Sequence, residues 1–155
     1  MERLVMAAAI VVLVGAFAVV ARQRRTVDAP TQANYEAPSQ LDRSDFPTAT
    51  FAQADRPWLL VAFTSASCHT CADTVAKGRA SETTMLGFAE VEYTAHRDLH
   101  QRYAIDAVPT LVLADADGVV HASFLGRVTA TDLWAAIAEA REPGSRPTGG
   151  CEHHD

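Results

Sequence analysis

The sequence predicts an α/β fold: one domain with a mixed central sheet and helices on both faces, preceded by a single N-terminal transmembrane helix. Three observations predict it. Leu4–Ala21 is a run of 18 residues without a charge. Trp58–Phe63 is a continuous apolar run of strand length, the pattern of a strand covered on both faces. Strand-like and helix-like segments then alternate as far as Arg141. With 155 residues the chain has room for one ordinary domain plus appendages, and no internal repeat is visible.

At about 1.5 Å per residue a helical Leu4–Ala21 spans most of a hydrocarbon core of about 30 Å, so 4–21 reads as a membrane anchor. The competing reading is a cleaved signal peptide, with Arg3 as a small basic region and Ala16-Phe17-Ala18 as a cleavage site. The apolar run continues past that site through Val19, Val20 and Ala21, which favours the uncleaved anchor. Arg22, Arg24 and Arg25 follow the run and only Arg3 precedes it, so the positive-inside rule places the domain on the cytoplasmic side of the cell membrane. Residues 22–40 carry Pro30 and Pro38 among polar side chains and read as a flexible linker.

Residues 26–155 hold 18 Asp and Glu against 9 Lys and Arg, which argues against nucleic acid as a partner. The domain is expected over 41–141. Ser44-Asp45-Phe46-Pro47 offers a helix cap, and a short helix is expected to run on through Phe51 to Ala54. After the strand at Trp58–Phe63, Ala72 to Arg79 has helical composition. Phe88 to Tyr93 reads as a strand, Arg97 to Tyr103 as a short helix, and Thr110 to Leu113 as another strand. Asp115-Ala116-Asp117-Gly118 is a hairpin turn, because Asp-Gly accepts the positive φ that such turns need. Val119 to Phe124 pairs across it. Thr129 to Arg141 reads as a helix with Leu133, Trp134, Ile137 and Ala140 on its apolar face, stopped by Pro143-Gly144. Residues 142–155 are expected to be disordered.

The chemistry gathers at Cys68-His69-Thr70-Cys71, between the apolar strand and the helix that follows. Cysteines that open a helix lie where unpaired amides and the helix dipole stabilise an anion, which makes Cys68 a candidate nucleophile. Three-residue spacing puts the second sulfur within reach of the first, so Cys71 can attack a mixed disulfide at Cys68 and release the substrate. An imidazolium at His69 would favour the Cys68 thiolate; the plainer reading of His69 is an exposed residue at a helix start.

The order strand, Cys-x-x-Cys, helix, strand, helix, Ile105-Asp106-Ala107-Val108-Pro109-Thr110, hairpin, Gly126 and terminal helix resembles the thioredoxin family over roughly Leu41 to Arg141. Tyr103 to Thr110 is similar to that family's Tyr-Gly-Ile-x-x-x-Pro-Thr stretch. The resemblance implies a thioredoxin-like fold and thiol–disulfide oxidoreductase activity through Cys68 and Cys71. It also implies a cis peptide bond at Pro109 facing the cysteines, with Val108 presenting backbone groups to a substrate peptide; Ser67 and His69, on either side of Cys68, are further candidates for substrate binding. The chain departs from the family where Ser67-Cys68-His69-Thr70-Cys71 replaces Trp-Cys-Gly-Pro-Cys, and where Ala62 replaces a buried acid on the preceding strand.

Expected partners are protein or small thiol and disulfide clients, an electron donor or acceptor, and the membrane. No cofactor is expected. A lone Cys-x-x-Cys is also half a zinc site, and Cys151 with His153 and His154 could join it, so a thiol-based metal carrier is one alternative; the favoured reading has no metal, with Cys151 on an incidental tail. The other alternative is a docking module whose cysteines seldom react. His96 and His100 are expected on a solvated helix face. No Ser-His-Asp arrangement or phosphate-binding glycine loop is present.

Overall fold

A computed structural model describes residues 36–144. The expected membrane anchor, most of the linker and the Cys151 tail lie outside the described residues, and among those described no helix is long and apolar enough to cross a membrane.

The apolar run becomes β1 (Trp58–Thr64), whose residues Leu59 to Phe63 are fully buried. It is followed by α1 (Cys71–Ala80), β2 (Leu86–Glu92), α2 (Arg97–Arg102), β3 (Thr110–Ala114), β4 (Val120–Leu125) and α3 (Ala130–Arg141). The sheet order is β2-β1-β3-β4, with β1 parallel to β2 and antiparallel to β3, and β3 antiparallel to β4. The mixed central sheet predicted from sequence is therefore present, and the most apolar strand is an inner one.

Period-2 alternation in β1 feeds two cores. Leu60 and Ala62 face a cluster with Phe88, Leu111, Leu113, Leu133 and Ile137, covered by α1 through Val75 and by α3. Leu59, Val61 and Phe63 face the opposite way, against Leu41, Phe46, Phe51, Val91 and Leu99 of α2. Helices thus cover both faces. On the first face α1 approaches β2 so closely that the Phe88 ring occupies the place a Cβ at Gly78 would take.

Three expectations need correction. The helix foreseen from Ser44 to Ala54 is one 3-10 turn, Arg43–Asp45, followed by a chain of turns. Phe46, Phe51 and Ala54 are nevertheless buried, since turns suffice to point them at the sheet. Trp134 is 47% exposed, and Ala136 joins Leu133 and Ile137 on the buried face of α3 instead. His100 is 2% exposed rather than solvated. Its ring packs edge-on against Phe63 and Tyr93, and its Nε2 lies 2.9 Å from the Val91 carbonyl. The expected hairpin turn is present: Gly118 N–H donates to the Asp115 carbonyl, Asp115 N–H to the Val119 carbonyl, and Gly118 takes the positive φ.

The N-terminal segment is bound to the rest by polar contacts. The Tyr103 hydroxyl donates to Asp45 Oδ2 at 2.5 Å and accepts the Asp42 N–H at 2.9 Å, while Arg102 pairs with Asp42 and Asp45. Burial and then the Asp45 hydrogen bond push the Tyr103 phenol up to about 12.

Candidate functional site

Three loops meet at the sheet end where β1 stops. Thr64 ends β1, and Ser65 to Thr70 turn the chain into α1. Phe63 pairs with Thr110, so the residues before β3 emerge at the same end, and Thr110 pairs with Leu125, which brings the end of β4 there too. Gly126 follows at positive φ and its N–H donates to the Pro109 carbonyl at 2.8 Å.

Cys68 and Cys71 are joined in a disulfide, with Cα atoms 5.4 Å apart. The backbone turns that present them are closed by Cys68 N–H to the Ser65 carbonyl (3.0 Å) and Cys71 N–H to the Cys68 carbonyl (3.3 Å). The helix does not open at Cys68, as the sequence suggested. Thr70 is its cap and Cys71 its first residue, so Cys68 stands in the approaching loop. Thr70 is of a residue type favoured at helix caps and holds the cap position here, though its side chain makes no capping hydrogen bond. Cys68 is half-buried and Cys71 is 4% exposed. The Cys68 sulfur is also 3.6 Å from the Thr70 hydroxyl.

Of the other residues named from sequence, Ser67 and His69 are exposed on the same loop as the cysteines. The Ser67 hydroxyl is 3.1 Å from that of the buried Ser65. Val108 is half-buried, Pro109 is buried, and the peptide bond between them is cis. Val108 lies outside the sheet ladder, since β3 begins at Thr110.

Two acidic residues that the sequence did not single out border the cysteines. Thr64, Ala66, Cys68, Cys71, Glu90 and Glu92 are among the residues lining a cleft of about 380 Å³. Glu90 is the register partner of Ala62 and Glu92 that of Thr64, so the parallel pairing of β1 with β2 carries both carboxylates to the cysteine loop. Glu92 accepts the Ala66 N–H at 3.1 Å; Glu90 accepts the Thr64 hydroxyl at 3.3 Å and pairs with Arg79 at 3.1 Å. Their alternation, Glu90-Val91-Glu92, was the one available sign: both point to one face of a strand. Among the described residues no group of three or more His, Cys, Asp or Glu is placed to hold a metal ion.

A half-buried cysteine in a loop, bonded to a buried cysteine at a helix start, is an arrangement that thiolates can open and close by exchange. Comparison with known proteins agrees in kind. The family model described as thioredoxin matches residues 33–139. Among solved structures, thioredoxin from Fasciola hepatica is 25% identical, covering 55% of this chain and 83% of that one, with a TM-score of 0.48. Thioredoxin F from spinach chloroplast is 18% identical, covering 70% of this chain and 99% of that one, with a TM-score of 0.49. The Malassezia sympodialis thioredoxin is 19% identical, covering 70% of this chain and 97% of that one, with a TM-score of 0.48. No curated protein matches the chain.

Proposed function

This chain belongs to the thioredoxin family, and from that premise we propose that it is a membrane-anchored thiol–disulfide oxidoreductase. It exchanges disulfides with protein or small thiol clients through Cys68 and Cys71. The observation that carries the reading is the disulfide itself, formed by a half-buried Cys68 in a loop and a buried Cys71 at the start of α1. Cys68 is the nucleophile and Cys71 the resolving thiol. The reduced pair passes two electrons to a client disulfide, and a separate donor returns the pair to the dithiol.

Ser67, His69, Val108 and Pro109 form the client-binding rim in this proposal. Val108 lies outside the ladder, and its main chain can pair with an extended client segment. The uncharged run Leu4–Ala21 supports the anchor, and Arg22, Arg24 and Arg25 support a cytoplasmic domain. Protease added outside intact cells leaves the domain whole if this topology is right, and cleaves it if the domain faces outward.

The activity is tested by turnover of a protein disulfide with dithiothreitol as donor. The expected result is catalysis above the dithiothreitol background that Cys68→Ser abolishes. An unchanged rate in Cys68→Ser would leave binding, not exchange, as the better account.

A further inference from the structure

We propose that Glu90 is the positioning residue that takes the proton from Cys71 when Cys71 resolves a mixed disulfide, acting across the cleft between β2 and the cysteine loop. The inference rests on the redox reading of the pair given above. Cys71 is 4% exposed, and a thiol held from water ionises reluctantly, so its attack needs a base at hand. On the α1 face of β1, near the strand end that leads into the cysteine loop, stands Ala62, whose methyl group cannot serve as a base. The register partner of Ala62 on the adjacent strand is Glu90, on the same face of the sheet, and Glu90 lines the same cleft as Cys71 and Cys68.

The two carboxylates of that cleft are employed differently. Glu92 has both oxygens on backbone N–H groups, Oε1 on Ala66 and Oε2 on Thr94 and Ala95. Glu90 has Oε2 on Arg79, but its Oε1 receives only the Thr64 hydroxyl, at 3.3 Å, and keeps capacity for solvent in the cleft. The charged and titratable groups around it are Arg79 from α1, Glu82 just after that helix, Glu92 from β2, His96 ahead of α2, and the cysteines.

The step balances as follows. With Cys68 bonded to a client sulfur, the Cys71 thiol gives its proton through solvent to Glu90. The Cys71 thiolate then attacks Cys68 Sγ, the Cys68–Cys71 bond forms, and the Cys68–client bond breaks. The client leaves as a thiolate with the electron pair, and Glu90 returns its proton to solvent or to that thiolate. The Cys68–Cys71 dithiol is oxidised by two electrons and the client disulfide is reduced by two.

The test uses the full chain in mild detergent, carrying Cys151→Ser, reduced and then mixed rapidly with a chromogenic aryl disulfide. Attack by Cys68 releases the first arylthiolate and resolution by Cys71 releases the second, so the two steps are read separately. Glu90→Gln is expected to keep the first rate and to slow the second roughly tenfold or more near pH 7, with the gap narrowing as the pH rises and hydroxide takes over the proton. Glu90→Asp, which keeps the carboxylate, should stay nearer the wild-type rate. Arg79→Met removes the ion pair but not the base, and should leave the second phase fast. Equal effects on both phases, no effect on either, or a second phase slowed as much by Arg79→Met as by Glu90→Gln would overturn the assignment. A wild-type chain that releases no second arylthiolate would instead overturn the redox reading.

Discussion

Glu92 Oε1 accepts the Ala66 N–H at 3.1 Å, so the carboxylate of β2 holds the loop that carries Cys68 two residues further on. Its Oε2 holds the next loop through Thr94 N–H at 2.8 Å and Ala95 N–H at 3.0 Å. One side chain therefore ties together two of the loops at the active end of the sheet. Hydrogen bonds to a charged acceptor are worth about 1.5–3 kcal/mol each when buried, and less here because Glu92 is partly exposed. Glu92→Ala should cost about 1–2 kcal/mol in chemical denaturation and slow disulfide exchange, while Glu92→Gln, which keeps an acceptor oxygen, should lose less. An Ala variant as stable and as active as wild type would show that the loops hold themselves.

Ala104 follows the end of α2 with φ of 50°, in the left-handed region. Its N–H donates to the Gln101 carbonyl and that of Ile105 to the His100 carbonyl, the pattern of a helix end that glycine usually serves. A Cβ in that region costs about 1–2 kcal/mol, whereas glycine adds unfolded-state entropy worth about 0.5–1 kcal/mol. The strain is the larger effect. Ala104→Gly should therefore stabilise the domain by about 0.5–1 kcal/mol, read as a higher denaturation midpoint with unchanged slope. A lower midpoint would contradict this.

His100 makes stability depend on mildly acid pH. Burial is the largest cause and pulls the imidazole below its ordinary value of 6.5; the Val91 carbonyl and Glu92 oppose the shift, and His96 adds to it. A base whose folded value is depressed is neutral in the fold while the unfolded chain takes up protons. Its contribution is present above pH 6.5 and is lost as the pH falls below that value toward the folded one. The two carboxyls held below their ordinary value, Asp42 and Asp115, act only at lower pH. Between about pH 6.5 and 5 the unfolding free energy should fall more steeply in wild type than in His100→Leu. Parallel pH profiles would exclude His100 as the cause.

The parts of the fold legible in the sequence are those set by local pattern. The unbroken apolar run of β1 announced an inner strand, and the Cys68-x-x-Cys71 spacing after it announced the sulfur pair. The Val108-Pro109 bond came from the resemblance of Tyr103 to Thr110 to a known family. What stayed hidden depends on register. Glu90 and Glu92 reach the cysteine loop only because Ala62 pairs with Glu90 and Thr64 with Glu92, a parallel pairing closed across α1. The burial of His100 likewise depends on α2 lying over Phe63 and Tyr93, while its sequence neighbours are polar. α1 starts at Cys71 rather than Cys68 because the chain first makes turns closed by Cys68 N–H to the Ser65 carbonyl and Cys71 N–H to the Cys68 carbonyl.

The central claim is that Cys68 attacks and Cys71 resolves, and trapping of mixed disulfides tests it most directly. Each cysteine is replaced in turn in a Cys151→Ser background, so that the tail thiol forms no adducts of its own, and disulfide-linked complexes with client proteins are counted on non-reducing gels. Cys71→Ser should accumulate adducts that dithiothreitol dissolves, because the half-buried Cys68 still attacks and nothing resolves the product. Cys68→Ser should form few, since the remaining Cys71 is buried. Adducts that form only when Cys71 alone is retained would contradict the assignment.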